Sequence, residues 1–215
     1  MGSFIGSEAS TTLLERHGIK SVKSITVHSE KDLESIGKRL GYPVAMKVVS
    51  KDIIHKTEAR AVFTRVHNLE DARQVFKDIH SNVKAYAPKA RIEGVLVQQH
   101  APGFELIVGG RIDPQFGPVV LVGAGGVFSE VLKDTSVRLA PITRDDALEM
   151  VKELKAAEVL KGYRGEKPAN IRAIVDVLLK VSALMEKGGV EELDVNPLMA
   201  SEKGAVCVDA RVIKK

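Results

Sequence analysis

Apolar runs of strand length alternate with stretches of helical periodicity from about residue 30 to the end of the chain. A chain patterned this way builds mixed α/β layers. EKDLESIGKRL sets Leu33, Ile36, Gly37 and Leu40 on one helical face. GYPVAMKVVS reads as a strand entered through Pro43, and AVFTRVH as another. NLEDARQVFKDIHSNV predicts a helix with Asn68 as N-cap and Val75, Phe76, Ile79 and Val83 facing the core. IEGVLVQQH is a strand rich in β-branched residues, and ELIVGGRID and PVVLVGAGG follow as strands. TRDDALEMV opens a second helical block, with Thr143 and Asp146 as a capping-box-like pair and Ala147, Met150, Val151 and Leu154 as its stripe. NIRAIVDVLLKVSALMEKGG is a further helix, capped by Asn170 and stopped by Gly188-Gly189. Strands around EELDVNP and AVCVDARV close the chain. The pattern predicts two α+β lobes split near residue 100, the second the larger. Residues 1–7 read as a short leader without weight in the fold.

Composition narrows the function. Among 215 residues, 32 Lys and Arg stand against 28 Asp and Glu, a net charge of +4. The basic residues are scattered among acids, and there is no Trp and only three Tyr. A nucleic-acid groove clusters its cations beside stacking aromatics, so the excess charge points to small anionic ligands instead. No apolar run approaches the ~18–20 residues of a membrane span. A single cysteine, Cys207, precludes an internal disulfide and suits a reducing cytoplasm. It is flanked by Val206 and Val208, which marks it as a core residue rather than a nucleophile.

Lys47 interrupts an apolar strand. By alternation Val44, Met46 and Val48 share one face, and Ala45, Lys47 and Val49 the other. Such a lysine is either solvated on an edge strand or reaches into a cleft toward a phosphate, a task its compact charge suits. Gly123, Gly125 and Gly126 in VLVGAGGVFSEV permit close approach of a phosphate or of another backbone. No Walker A lysine follows them. Asp194 and Asn196 lie two apart, on one face of a strand. A hairpin through SEKG brings Asp209, on the next strand, near that pair. Hard oxygen donors on adjacent strands suit Mg²⁺, which takes one or two carboxylates and completes its shell with waters and phosphates. A polar strand end with an Asn-Pro turn is the simpler alternative. His55 and His100 stand among six histidines without zinc-site spacing.

Taken together, GYPVAMKVVSKDIIHKT, EGVLVQQHAPGFELIVG, DPQFGPVVLVGAGGVFSEVLKDTSVRLAPIT and ELDVNPL…AVCVDAR resemble the ATP-grasp domain of NDP-forming acyl-CoA synthetases. That group includes the β subunit of ADP-forming acetyl-CoA synthetase and, more remotely, that of succinyl-CoA synthetase. The resemblance implies an ATP-grasp domain over residues 8–215, of α/β (α+β) class. Its first lobe would span about 20–97 and its second about 98–215, gripping a nucleotide. It implies that Lys47 contacts the phosphates of ATP or ADP, that Gln98, Gln99 and His100 hold the adenine edge, and that Glu105 contacts the ribose. Asn196 and Asp209 would hold Mg²⁺ with Asp194 beside them. Gly125, Gly126 and Glu130 would face the transferred phosphate. The family reaction converts acyl-CoA, ADP and phosphate to carboxylic acid, CoA and ATP through a phosphohistidine. The primary phosphohistidine belongs to a CoA-binding α subunit or fused domain, so a hetero-oligomer is implied. His55, in the family's HK[ST] motif, is the implied second carrier.

Two departures stand out. Relatives usually continue HK[ST]-x-x-G-G-V, where this chain has Arg60 and Ala61 in HKTEARAV. The linker reads QQH, where relatives often carry an acid. These changes leave open a second reading, a degenerate regulatory or binding module of a larger synthetase-like or acetyltransferase fusion protein.

Overall fold

The structure is a computed structural model that describes residues 2–53, 55–126, 134–162, 165 and 167–215. The chain divides into two compact units. Residues 22–100 form the smaller, and residues 1–21 join 101–215 in the larger. The first twenty-odd residues thus belong with the C-terminal part rather than ahead of the small lobe.

The small unit is a four-stranded antiparallel sheet in the order β2-β5-β3-β4. Its strands are β2 (Ser24–Val27), β3 (Val44–Val49), β4 (Val62–Val66) and β5 (Gly94–Gln99). A 3₁₀ turn at Glu30–Ser35 runs into α2 (Ile36–Arg39), and α3 spans Leu69–Tyr86. Asn68 caps α3 as expected, its side-chain oxygen accepting from the Asp71 amide at 2.9 Å. Val44, Met46 and Val48 of β3, Val95 and Val97 of β5, and Leu33, Ile36, Ile79 and Val83 bury into one core. Gly37, expected on the buried face of its helix, is exposed. The reading of β3 as an edge strand is corrected, because the strand is paired on both sides.

The large unit is built on a seven-stranded sheet among the described residues, ordered β1-β11-β9-β6-β7-β8 with β10 on β9. These are β1 (Ser3–Phe4), β6 (Phe104–Asp113), β7 (Gly117–Ala124), β8 (Thr135–Leu139), β9 (Val190–Ser201), β10 (Gly204–Cys207) and β11 (Ala210–Lys214). Its helices among the described residues are α1 (Ser7–Arg16), α4 (Arg144–Glu153), α5 (Ala157–Leu160) and α6 (Ile171–Lys187). Asn170 caps α6, and its apolar stripe, including Ile174, Leu178, Val181 and Met185, covers one face of the sheet. Gly110 lets α6 lie close, since a Cβ there would stand 2.5 Å from Met185 Cγ. Truncating a fully buried side chain such as Leu178 to Ala would cost about 2–5 kcal/mol. The Thr143–Asp146 capping box of α4 is present as expected.

Two expectations are corrected here. Residues 1–7 are not an idle leader: Ser3 and Phe4 pair with Lys214 and Ile213, and α1 begins at Ser7. AVCVDARV is not one strand either. It splits into β10 and β11, both paired to β9, and Asp209 lies in the break between them. Pro197, which has no amide to donate, sits opposite that break, where the pairing of β9 with β6 also slips.

Candidate nucleotide and metal sites

On the small unit, Lys47 is half-buried on the sheet face away from α3 and stands between Leu96 and Val62. Gln98 pairs with Ala45 on that same face and is buried to 7% exposure. Gln99 falls on the opposite face by alternation and is exposed at the strand end. His100 follows, its amide donating to the Pro43 carbonyl at 3.2 Å. Burial holds the His100 imidazole below its usual pKa, and the neighbouring Arg65 and His67 push the same way.

His55 lies at the start of a turn after β3 and is exposed. Its Nδ1 is 3.6 Å from Glu58 Oε1, within charge attraction but too long for a good hydrogen bond. The turn closes through the Ala59 amide on the His55 carbonyl and the Ala61 amide on the Lys56 carbonyl. Arg60 takes φ 49, the left-handed conformation glycine adopts freely. The Asn82 side chain donates to its carbonyl at 2.8 Å. Ala61 is fully buried and its carbonyl accepts from Val48. The residues replacing Gly-Gly are thus accommodated without opening the turn.

Two cavities among the described residues of the large unit gather the candidate site residues. One, of about 610 Å³, is lined by Glu105, Gly125 and Gly126 together with Phe104, Asp134 and Val159. The glycines have a structural reason here. A Cβ on Gly125 would stand 2.8 Å from the Glu105 carbonyl carbon, and one on Gly126 3.0 Å from Glu105 Oε2. The Gly125 amide donates to the Glu105 carbonyl at 2.8 Å. Asp134, which sequence reasoning missed, is buried and accepts from the amides of Lys155 and Ala156 at 2.7 and 2.8 Å. Glu130 lies outside the described residues.

The second cavity, of about 230 Å³, gathers Asp194, Asn196 and Asp209 with Phe4, Ser7, Ala210 and Arg211. The Asn196 amide donates to the Asp209 carbonyl at 3.1 Å. Burial raises the Asp194 pKa, and Glu192 adds to it. Arg211 across the ladder pulls it down, and Asp209 pushes it up again. A carboxylate crowded by burial and like charge is relieved by a cation. Among the described residues no three His, Cys, Asp or Glu side chains converge on a metal. Two carboxylates and an amide oxygen nevertheless fit Mg²⁺, whose remaining positions go to water and phosphate. A soft-metal site of His and Cys does not fit this donor set. Gly109, opposite Asp194, has a packing reason, since a Cβ there would stand 2.8 Å from the Leu193 carbonyl oxygen.

The family model of the ATP-grasp domain matches residues 3–213.

The chain belongs to the ATP-grasp family.

This ATP-grasp domain is 45% identical over 203 residues to the β subunit of ADP-forming acetate–CoA ligase I from Pyrococcus furiosus, covering 94% of this chain and 88% of that one. It is 47% identical over 214 residues to ADP-forming acetate–CoA ligase I of Archaeoglobus fulgidus, covering 99% of this chain and 31% of that longer protein. Among solved structures, Ca. Korarchaeum cryptofilum dinucleotide forming acetyl-coenzyme A synthetase 1 in complex with coenzyme A, Ca-AMPCP and HgCl⁺ gives a TM-score of 0.89 at 38% identity, covering 100% of this chain and 93% of that one. The ATP-grasp domain is therefore of the β-subunit type of ADP-forming acyl-CoA ligases, and the fold class expected from the sequence holds. No helix among the described residues is long and apolar enough to cross a membrane.

Proposed function

We propose that this chain is the nucleotide-binding subunit or domain of an ADP-forming acyl-CoA synthetase and moves phosphate between a phosphohistidine and ADP. The observation that carries the reading is the convergence of Asp194, Asn196 and Asp209 in one cavity of a domain with this ancestry. Asn196 and Asp209, with Asp194, would hold Mg²⁺. When bound, the ion neutralises charge on the phosphate oxygens. Lys47 binds a phosphate from the small unit, Gln98, Gln99 and His100 take the adenine edge, and Glu105 takes the ribose. Gly125 and Gly126, with Glu130, would face the phosphate that is transferred.

His55 carries the phosphoryl group. With Glu58 beside Nδ1, the tautomer bearing its proton there leaves the Nε2 lone pair as nucleophile. In the forward direction the Nε2–P bond breaks as a terminal phosphate oxygen of ADP bonds to phosphorus. The electron pair stays on Nε2, the proton stays on Nδ1 so that the released imidazole is neutral, and ATP leaves. A CoA-binding α subunit or fused domain supplies the primary phosphohistidine, making the working enzyme a hetero-assembly. In a further structure of the Korarchaeum enzyme, with Mg-AMPPCP, a phosphohistidine segment points towards the nucleotide binding site. Arg60 in a glycine-like conformation favours a working turn over the degenerate module.

Calorimetry of the chain with ADP and ATP, with and without Mg²⁺, tests the reading. Mg²⁺-dependent binding of both is expected. Absence of binding by the chain both alone and with its CoA-binding partner would overturn it.

A further inference from the structure

Arg211 stands one strand step beyond Asp209 and directly opposite Asp194 on β9. Ala210 and Val212, its neighbours, are buried in the core, so Arg211 projects from the other face of the sheet, the face that carries Asp194. It lines the cavity of Asp194, Asn196 and Asp209. An arginine opposite an aspartate ordinarily closes an ion pair. This one closes none among the described residues, and its guanidinium carbon lies 5.8 Å from the centre of the Phe4 ring. Phe4 is held there by its own pairing with Ile213 and by the Ile5 amide on the Val212 carbonyl at 3.2 Å. Its ring is half-exposed, which is costly for an aromatic unless it supports a neighbour.

We propose that Arg211, steadied on Phe4, is an anion-binding residue of this cavity. The three oxygen ligands take the divalent cation, and the guanidinium takes an oxygen of the phosphate that arrives with it. This rests on the reading of the cavity as a metal–nucleotide site. The chemistry follows from charge balance. Two carboxylates alone would hold the cation but repel the nucleotide's phosphates. A guanidinium at the rim restores attraction and offers a planar fork of donors that matches a phosphate edge. The stacking contact limits the rotamers Arg211 samples and so lowers the ordering cost on binding. The N-terminal strand thereby becomes part of the binding site, although no residue of it touches the metal set through a charge.

The test separates metal from phosphate. Mn²⁺ alone, followed by electron paramagnetic resonance, reports the oxygen ligands; Mg-ADP and Mg-ATP, followed by calorimetry, report the whole site. Arg211→Gln should weaken both nucleotides about tenfold or more, the scale of one charge-assisted hydrogen bond. The same variant should leave Mn²⁺ affinity equal or tighter, because a positive charge has left the rim. Arg211→Lys, which keeps the charge but not the fork, should recover part of the loss, and Phe4→Leu should show a smaller one. Circular dichroism melting of each variant separates unfolding from lost binding. Should Arg211→Gln bind nucleotide like the wild type, the proposal falls while the metal–nucleotide reading stands. Should it weaken Mn²⁺ as much as nucleotide, Arg211 serves only to orient Asp194 and the proposal falls. Should the wild type, both alone and with its CoA-binding partner, bind Mn²⁺ but no nucleotide, the reading and the proposal fall together.

Discussion

Lys47 and Gln98 lie on one face of the four-stranded sheet, Lys47 opposite Leu96 and Gln98 opposite Ala45 on adjacent strands. The face opposite theirs is packed with Val44, Met46, Val48, Val95 and Val97. A cation half-buried over such a sheet is held at a set height and loses little freedom when a phosphate arrives. Lys47→Ala should therefore weaken ATP binding by about 1–3 kcal/mol, roughly fivefold to 150-fold. Calorimetry at saturating Mg²⁺ measures it, and an unchanged affinity would refute the phosphate role.

Asp209 is fixed from both sides by β10 and β11 and by the Asn196 amide. Asp209→Asn keeps the shape and removes the charge. The Mg²⁺ concentration needed for half-maximal nucleotide binding should rise about tenfold, the cost of one charge-assisted contact. A Mg²⁺ titration at fixed ADP reads this directly, and an unshifted midpoint would remove Asp209 from the ligand set.

His55 is exposed on its turn and pairs only loosely with Glu58. His55→Ala should leave nucleotide affinity within about twofold, since no binding contact is lost. ATP formation by the assembled enzyme should fall by roughly 10³-fold or more, as expected when a covalent carrier is removed. Retained turnover would disprove the carrier role.

Arg60 pays for its left-handed backbone. The penalty for a side chain at φ 49 is about 1–2 kcal/mol, while a glycine adds about 0.4–1 kcal/mol of unfolded-state entropy. Arg60→Gly should thus stabilise the protein by about 0.5–1 kcal/mol and raise the melting temperature by a few degrees. A lower melting temperature would mean that the Arg60 side chain makes a contact worth more than the strain.

His100 carries a pH dependence whose sign follows from its environment. Its folded pKa lies below 6.5 through burial, Arg65 and His67. Below pH 6.5 the unfolded chain therefore binds more protons than the native one, and stability is lost as pH falls from there through the folded pKa. Above that window the effect vanishes. Denaturant melts across this range should show His100→Gln losing less stability than the wild type; parallel curves would refute it.

Strong local signals made most of the fold legible. The caps at Asn68, Thr143 and Asn170 and the apolar stripes of α3, α4 and α6 lie in adjacent residues, so periodicity finds them. β1, β8 and α5 are short and take their stability from neighbours distant in sequence, which no local pattern records. Lys47, Asp194, Asn196 and Asp209 were legible because a polar residue in an apolar strand is conspicuous. Arg211 was one alternation step from Asp209 and recoverable by the same reasoning. Phe4 was not, because its role depends on pairing with a strand some two hundred residues later. Asp134 was hidden for a similar reason: its partners are backbone amides, which a sequence does not display.

The chain enters the small unit through β2 and leaves it through β5, and these two strands are bonded neighbours, Ser24 facing Gln98. Entrance and exit are therefore stitched shut, with the Gln99 amide on the Lys23 carbonyl as the last stitch. A segment whose ends meet in this way is topologically a cassette. Residues 22–100 can be lifted out and replaced by a short linker, or exchanged for those of a relative, without re-routing the sheet that receives them. On the proposed reading, such an exchange would move Lys47, Gln98, Gln99 and His100 as one block and leave Asp194, Asn196 and Asp209 in place.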